Sequence, residues 1–348
     1  MRGFILFGLA ATVMMFGACG DSPSVGPIDQ GTVPADLPLS KPDAGVPPSL
    51  DQGIQPSDPD TGVEQRPTWV PDKMGPWDQD LYVYDSDDGL NFTERELLVK
   101  HAGVPHLLQD KSGTLIAVYQ YFSFSDEALF NVFAYSTSAD LGLTWDGPHL
   151  LEVKDLPEPV APEASAVDPT IVELDDGSLR LYFTYHLSGK KSPVCVSAKA
   201  QSIKDAFVYE EGIRVELENT TVLDPAVVYF KGTWHYFAPE NTMAGPSTLN
   251  LHATSSDGLN FELQEKIDLG GPRLLGSAIV VDDGLRFYGT NQGAPGAFSA
   301  ISTDGFSWKT EAGERAPHGD PGVVKLSNGK FLLLSAGGQM GAPPPPKP

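Results

Sequence analysis

Apolar residues fall along this chain in short paired runs separated by polar turns, with no sustained helical spacing. Val104-Pro105-His106-Leu107-Leu108 is followed by Leu115-Ile116-Ala117-Val118-Tyr119, and Asp168-Pro169-Thr170-Ile171-Val172 by Leu179-Arg180-Leu181-Tyr182-Phe183. The pairing returns as Asp224-Pro225-Ala226-Val227-Val228 with Trp234-His235-Tyr236-Phe237, and as Gly276-Ser277-Ala278-Ile279-Val280 with Leu285-Arg286-Phe287-Tyr288. A fifth copy joins Asp320-Pro321-Gly322-Val323-Val324 to Phe331-Leu332-Leu333-Leu334. Apolar runs of this length, bounded by turn residues, predict buried strands in hairpins.

A second recurring piece is a turn, written Ser86-Asp87-Asp88-Gly89-Leu90-Asn91-Phe92, Ser256-Asp257-Gly258-Leu259-Asn260-Phe261 and Thr303-Asp304-Gly305-Phe306-Ser307-Trp308, with a longer form from Ser138 to Trp145. Asp-Gly supplies the backbone torsion of a tight hairpin, and the hydroxyl and carboxylate can bond turn amides. These four turns resemble the Asp-box of sialidases and related propellers, a resemblance that implies an architectural role for their aspartates. The equivalent stretch from Ala198 to Phe207 is degenerate and reads as a loop or short helix.

Together the two pieces make a four-stranded unit repeating every roughly 45 to 65 residues, the period of a propeller blade. Residues 81–99 carry only the second half of a unit and residues 319–336 only the first half. Completing one blade from both chain ends closes the ring without free sheet edges. The expectation is an all-β, five-bladed β-propeller over residues 77–338.

Composition narrows the rest. The 46 acidic and 23 basic side chains leave a formal charge of −23, which repels phosphate backbones, so nucleic acid is not an expected partner. Residues 1–18 begin Met1-Arg2 and continue with an apolar run to Phe16, too short to span a bilayer and suited to a signal peptide. Phe16-Gly17-Ala18-Cys19 resembles the lipobox of bacterial lipoproteins, which implies acylation of Cys19 and attachment to the outer membrane or cell surface. Residues 19–76, rich in Pro, Asp and Gly, read as a disordered tether, and 339–348, with four consecutive prolines, as a disordered tail. Cys195, between Val194 and Val196, reads as a buried small hydrophobe.

In a propeller the first strand of each blade lines the central channel, so Val104, Asp168, Asp224, Gly276 and Asp320 should meet at one mouth. Facing carboxylates raise one another's pKa, which can keep one protonated as an acid for glycoside hydrolysis. The Asp-Pro strand starts and Pro317-His318-Gly319 resemble the five-bladed glycosidases of the glycoside hydrolase family 43 type. That resemblance implies a glycan or polysaccharide as partner, with Asp168 and Asp224 as carboxylates at strand starts. The family's base on the first blade is replaced here by Val104, and Glu240 and Glu163 are the nearest glutamates to stand as the acid. The expected set is therefore Asp168, Asp224 and Glu240 for catalysis, with His106, Glu163, His318 and Asp320 for binding. No transition-metal spacing occurs; calcium is the one cation an acidic channel suggests. A monomer that engages carbohydrate is expected, either hydrolysing glycosidic bonds or acting as a non-catalytic glycan- or protein-binding propeller of the envelope.

Overall fold

The computed structural model describes residues 65–338, except 162–163, 219, 243–244, 272, 283 and 292–295. The signal peptide, Cys19, most of the tether, Glu163 and the tail from 339 lie outside the described residues.

Five sheets form, one per repeat, antiparallel except where the short strand Val153–Lys154 pairs in parallel with the outer strand Phe207–Val215. Blade 1 is built from Ala102–Gln109, Leu115–Phe122, Phe130–Ser138 and Asp146–Leu150, and blade 2 from Val167–Glu173, Leu179–Tyr185, Val194–Ala200 and Phe207–Val215. Ala226–Phe230, Thr233–Thr242 and Gly245–Ser255 make blade 3 with short outer strands, and Arg273–Val281, Gly284–Asn291, Ala297–Ser302 and Lys309–Thr310 make blade 4. Blade 5 joins the two ends of the domain: Asp80–Ser86 pairs with Phe331–Gly337, Leu81 opposite Ala336 and Ser86 opposite Phe331, so the ring is closed as the half-repeats require. The stretch between Ala200 and Phe207 is a loop without a helix.

Because every inner and middle strand is covered on both faces, the apolar residues gather into five clusters, one at each seam between blades. Cys195 is fully buried in the seam between blades 2 and 3.

Corresponding positions of the inner strands stitch the seams. His106 of blade 1 accepts the Ile171 amide of blade 2 on Nδ1 at 3.4 Å. Thr170 of blade 2 donates its hydroxyl to the Pro225 carbonyl of blade 3, and Ser277 of blade 4 accepts the Val323 amide of blade 5 at 3.2 Å. At the last seam Gly322 approaches blade 1 so closely that a Cβ would stand 2.4 Å from the Pro105 carbonyl oxygen.

The four Ser-x-Asp turns are built alike. Ser86, Ser138, Ser255 and Ser302 accept the amides of Gly89, Gly142, Gly258 and Gly305 at 2.8 to 3.0 Å, and the aspartate two residues after each serine accepts amides further along. In the third and fourth turns the hydroxyl comes from Ser255 and Ser302, not from the adjacent Ser256 and Thr303, since only a serine two positions ahead of the aspartate can span the turn. The Thr144 hydroxyl and amide hold Asp140 down at about 2, and turn amides hold Asp304 at about 2 and put Asp88 and Asp257 well below the usual carboxylate range.

Blades 2 and 4 hold the next blade's turn with the same set of side chains. Tyr182 donates to the Gly258 carbonyl at 2.7 Å and Tyr288 to that of Gly89 at 2.8 Å. Arg180 pairs with Glu210 at 2.7 Å and Arg286 with Glu311 at 3.0 Å, while Arg214 and Arg315 reach the Leu259 and Leu90 carbonyls.

Candidate functional site

The strand starts place their first residues around the channel mouth through a shared backbone distortion. Val104, Asp168, Asp224 and Asp320 all precede proline, and all have positive φ, from 46° to 58°. The ladder of blades 1, 2 and 5 is interrupted at this point, between Gly103 and His106, Val167 and Thr170, and Gly319 and Gly322. Such a bulge leaves the residue before proline unpaired and turns its side chain into the channel. Asp tolerates positive φ; Val, branched at Cβ, does so under strain. Blade 4 has Gly276 at this place, with a shorter interruption between Leu275 and Ser277.

Val104, Asp168, Asp224, Gly276, Thr290 and Asp320 line one cavity with four prolines, Thr170 and Leu274. It holds about 20 Å³, room for a single water. Asp168 is sealed, with 2% of its surface exposed, whereas Asp224 and Asp320 are partly open.

The Asp168 carboxylate accepts the Asp224 amide at 3.2 Å. Burial raises the Asp168 pKa against the pull of that amide and of the Thr184 hydroxyl. Asp224 is driven well above the usual range, first by burial and then by the charges of Asp168 and Asp320. Asp320 rises to about 6 by burial and the Asp168 charge, tempered by Thr290. Each of the three carboxyls therefore holds its proton to higher pH than an ordinary aspartate, and Asp168 and Asp224 titrate as a pair. Tyr236 and Cys195 lie behind them; burial keeps both neutral, the thiol pushed up to about 12.

The other expected residues stand elsewhere. Glu240 is tied to Lys266 at 2.5 Å and does not line the cavity; burial pushes its carboxyl up, but Lys266 and Ser247 bring it below the usual range. An ionised, paired glutamate is a poor proton donor. His106 is consumed by the seam, its pKa lowered to about 4 by burial. His318 packs on the Tyr82 ring at 5.5 Å, inside the closing blade. Tyr182, Trp145 and Trp308 are packing residues of the seams. Among the described residues no group of three or more His, Cys, Asp or Glu side chains is placed to hold a metal ion.

Sequence reasoning missed Thr184 and Thr290. They hold equivalent places two residues after Tyr182 and Tyr288, Thr184 donating to the Val222 carbonyl at 3.3 Å and Thr290 accepting the Asp320 amide at 2.9 Å. The repeated Arg-x-Tyr-x-Thr of Arg180–Thr184 and Arg286–Thr290 was their signal.

No protein-family profile matches the sequence, and no curated protein does. Solved structures match the fold. A family-43 β-xylosidase/α-arabinofuranosidase from a compost microbial metagenome aligns at 11% identity over 67% of this chain and 84% of that one, with a TM-score of 0.52. A family-43 enzyme from Xanthomonas citri aligns at 11% identity over 68% and 87%, also at 0.52. A thermostable family-43 glycoside hydrolase aligns at 16% identity over 71% and 90%, at 0.48. This chain is thus an all-β, five-bladed propeller of the architecture that glycoside hydrolases use.

Proposed function

We propose that this protein is a surface-tethered, glycan-binding propeller that engages sugar hydroxyls at the channel mouth through Asp224 and Asp320 and does not cleave the chain it holds. One observation carries the reading: the first blade keeps the strained bulge that aims a side chain into the cavity, yet the residue there is Val104. Hydrolysis needs two carboxylates free to act on opposite sides of the scissile bond. Here Asp168 is sealed and Glu240 is neutralised by Lys266, which leaves Asp224 of blade 3 and Asp320 of blade 5 as the partly open acids, with Gly276 of blade 4 between them and no carboxylate at the strand start of the first blade. Partly protonated carboxyls can both donate to and accept from hydroxyl groups, which suits binding. Attachment through an acylated Cys19 belongs to the same proposal and rests on the lipobox resemblance.

Affinity electrophoresis through gels containing arabinoxylan, arabinan or β-mannan tests the reading. Retardation of the wild type by one of these, lost in Asp224→Asn/Asp320→Asn, with no release of reducing sugar, is expected. Release of sugar that disappears in Asp224→Asn would instead establish hydrolysis. Cys19→Ser should abolish incorporation of labelled palmitate.

A further inference from the structure

Four seams are plugged at the end far from the acidic mouth by a Ser-x-Asp turn of the following blade. Gly142 sits against Leu332, Gly258 against Arg180 and Tyr182, Gly305 against His235, and Gly89 against Arg286 and Tyr288. Between blades 1 and 2 the plug is missing, because the loop from Gln201 to Ala206 does not build that turn. The strand register puts Ile116 and Val118 where blades 2 and 4 carry Arg180 with Tyr182 and Arg286 with Tyr288, so this seam holds aliphatic side chains where those two hold an Arg and a Tyr. A cavity of about 280 Å³ stands in its place, close to the lower limit for small-ligand sites. Its lining includes the Asp110–Thr114 hairpin and Gly177, at the opposite end of the inner strands from Asp168, so it is separate from the channel mouth.

We propose that this vacated socket is a second binding site and that it takes one uncharged sugar ring. Ile116, Leu179 and Ile203, all buried, supply its aliphatic lining, and Thr137, Gln201 and Lys204 supply a hydroxyl, an amide and an ammonium group. Such a mixed lining matches a ring that presents both C–H groups and hydroxyls. A purely apolar ligand would leave the polar groups unpaired as they lost water. An anion would meet Asp110 and the chain's net charge of −23, and a cation would meet Lys204. The site does not depend on the channel mouth binding anything.

The test is titration of the isotope-labelled full chain with methyl glycosides of xylose, arabinose, mannose, galactose and glucose in turn. At least one should shift the amides of 110–116 and 201–204 and the methyls of Ile116 and Ile203. Thr137→Val and Gln201→Ala should each weaken that response about threefold to tenfold, with the remaining spectrum unchanged. Asp224→Asn/Asp320→Asn should leave it intact, which separates this site from the mouth. The proposal is overturned if none of the five glycosides moves these resonances, or if the shifts persist at full affinity in a Thr137→Val/Gln201→Ala protein.

Discussion

Asp224 gives its backbone amide to the Asp168 carboxylate across the seam between blades 2 and 3, at 3.2 Å. The bond joins two residues 56 positions apart, both before proline and both at positive φ. It makes Asp168 part of the ring's framework and leaves Asp224 as the acid of the pair with a face toward the cavity. A carboxyl with this duty is held in place by structure, and its raised pKa follows from burial whether or not a substrate exists.

The mouth should therefore register in stability against pH. Asp320 has its folded pKa raised to about 6 from an ordinary 3.8. The folded state then binds the proton more tightly, so ionisation above that range weakens folding, by at most about 3 kcal/mol before screening by water in the partly open mouth. Buried His106 and His252, both lowered to about 4, act in the other direction, losing stability as pH falls below 6.5. The wild-type curve mixes the two. The difference between Asp320→Asn and wild type isolates the first: near zero at pH 4, growing in favour of Asn up to about pH 6 and level above it. Urea melts at a series of pH values measure it, and a flat difference would refute the assignment.

Val104 offers a cleaner backbone experiment. A β-branched residue at φ 49° is strained by roughly 1 kcal/mol, and Asn relaxes that strain without adding charge. Val104→Asn should raise the urea midpoint at unchanged m-value. Val104→Asp should gain as much at pH 4 but less at pH 7, where a fourth carboxylate joins the cavity. If the first-blade carboxylate is the only part missing from a hydrolase, Val104→Asp should also release nitrophenol from aryl xylosides or arabinosides. The proposed binding role expects none.

Much of this was legible in the chain itself. The ring and its closure could be read because each Asp-Pro or Gly-Ser start marks an inner strand, and the half-repeats at 81–99 and 319–336 can pair only with each other. The site was legible as far as Asp168, Asp224 and Asp320, since strand starts share a place in the ring. It failed beyond the inner strands. Glu240 lies on a middle strand, and whether it faced the channel or Lys266 depended on register and on a short outer strand at Ile267–Asp268. His106 follows its bulge by two residues, and the bulge turned it into the seam instead of the mouth. The socket between blades 1 and 2 could not be read either, because a degenerate turn does not say whether another residue fills the gap.

Gly322 should tolerate no side chain. Its φ is unremarkable for other residues, so the constraint is contact alone: an added Cβ would meet the Pro105 carbonyl oxygen at 2.4 Å and its carbon at 2.8 Å, both backbone atoms that cannot move independently. Gly322→Ala is expected to cost about 1–3 kcal/mol and to loosen the closing seam. Hydrogen exchange should show faster opening at 102–109 and 319–325 than at 226–230. Uniform protection would mean that blade 5 can shift outward without cost.

The Ser-x-Asp turns should support stability and leave ligand binding untouched. Ser255 is buried and accepts the amides of both Gly258 and Asp257, at 3.0 and 3.2 Å. Ser255→Ala strands the Gly258 amide, whose carbonyl also receives Tyr182, and should cost about 1–2 kcal/mol. Asp257 contributes differently. Amides of Asn260 and Leu259 hold its folded pKa below the ordinary value, so its contribution is complete above pH 4 and is lost as pH falls further. Asp257→Asn should thus be less stable than wild type at pH 7, with the gap closing as acid titrates the wild-type carboxylate. Both variants should bind to a polysaccharide gel as the wild type does, since the turn lies at the far end of the blade from Asp168. Loss of binding in a folded Asp257→Asn protein would place function at this face instead, and would move the search for a ligand from the acidic mouth to the turns.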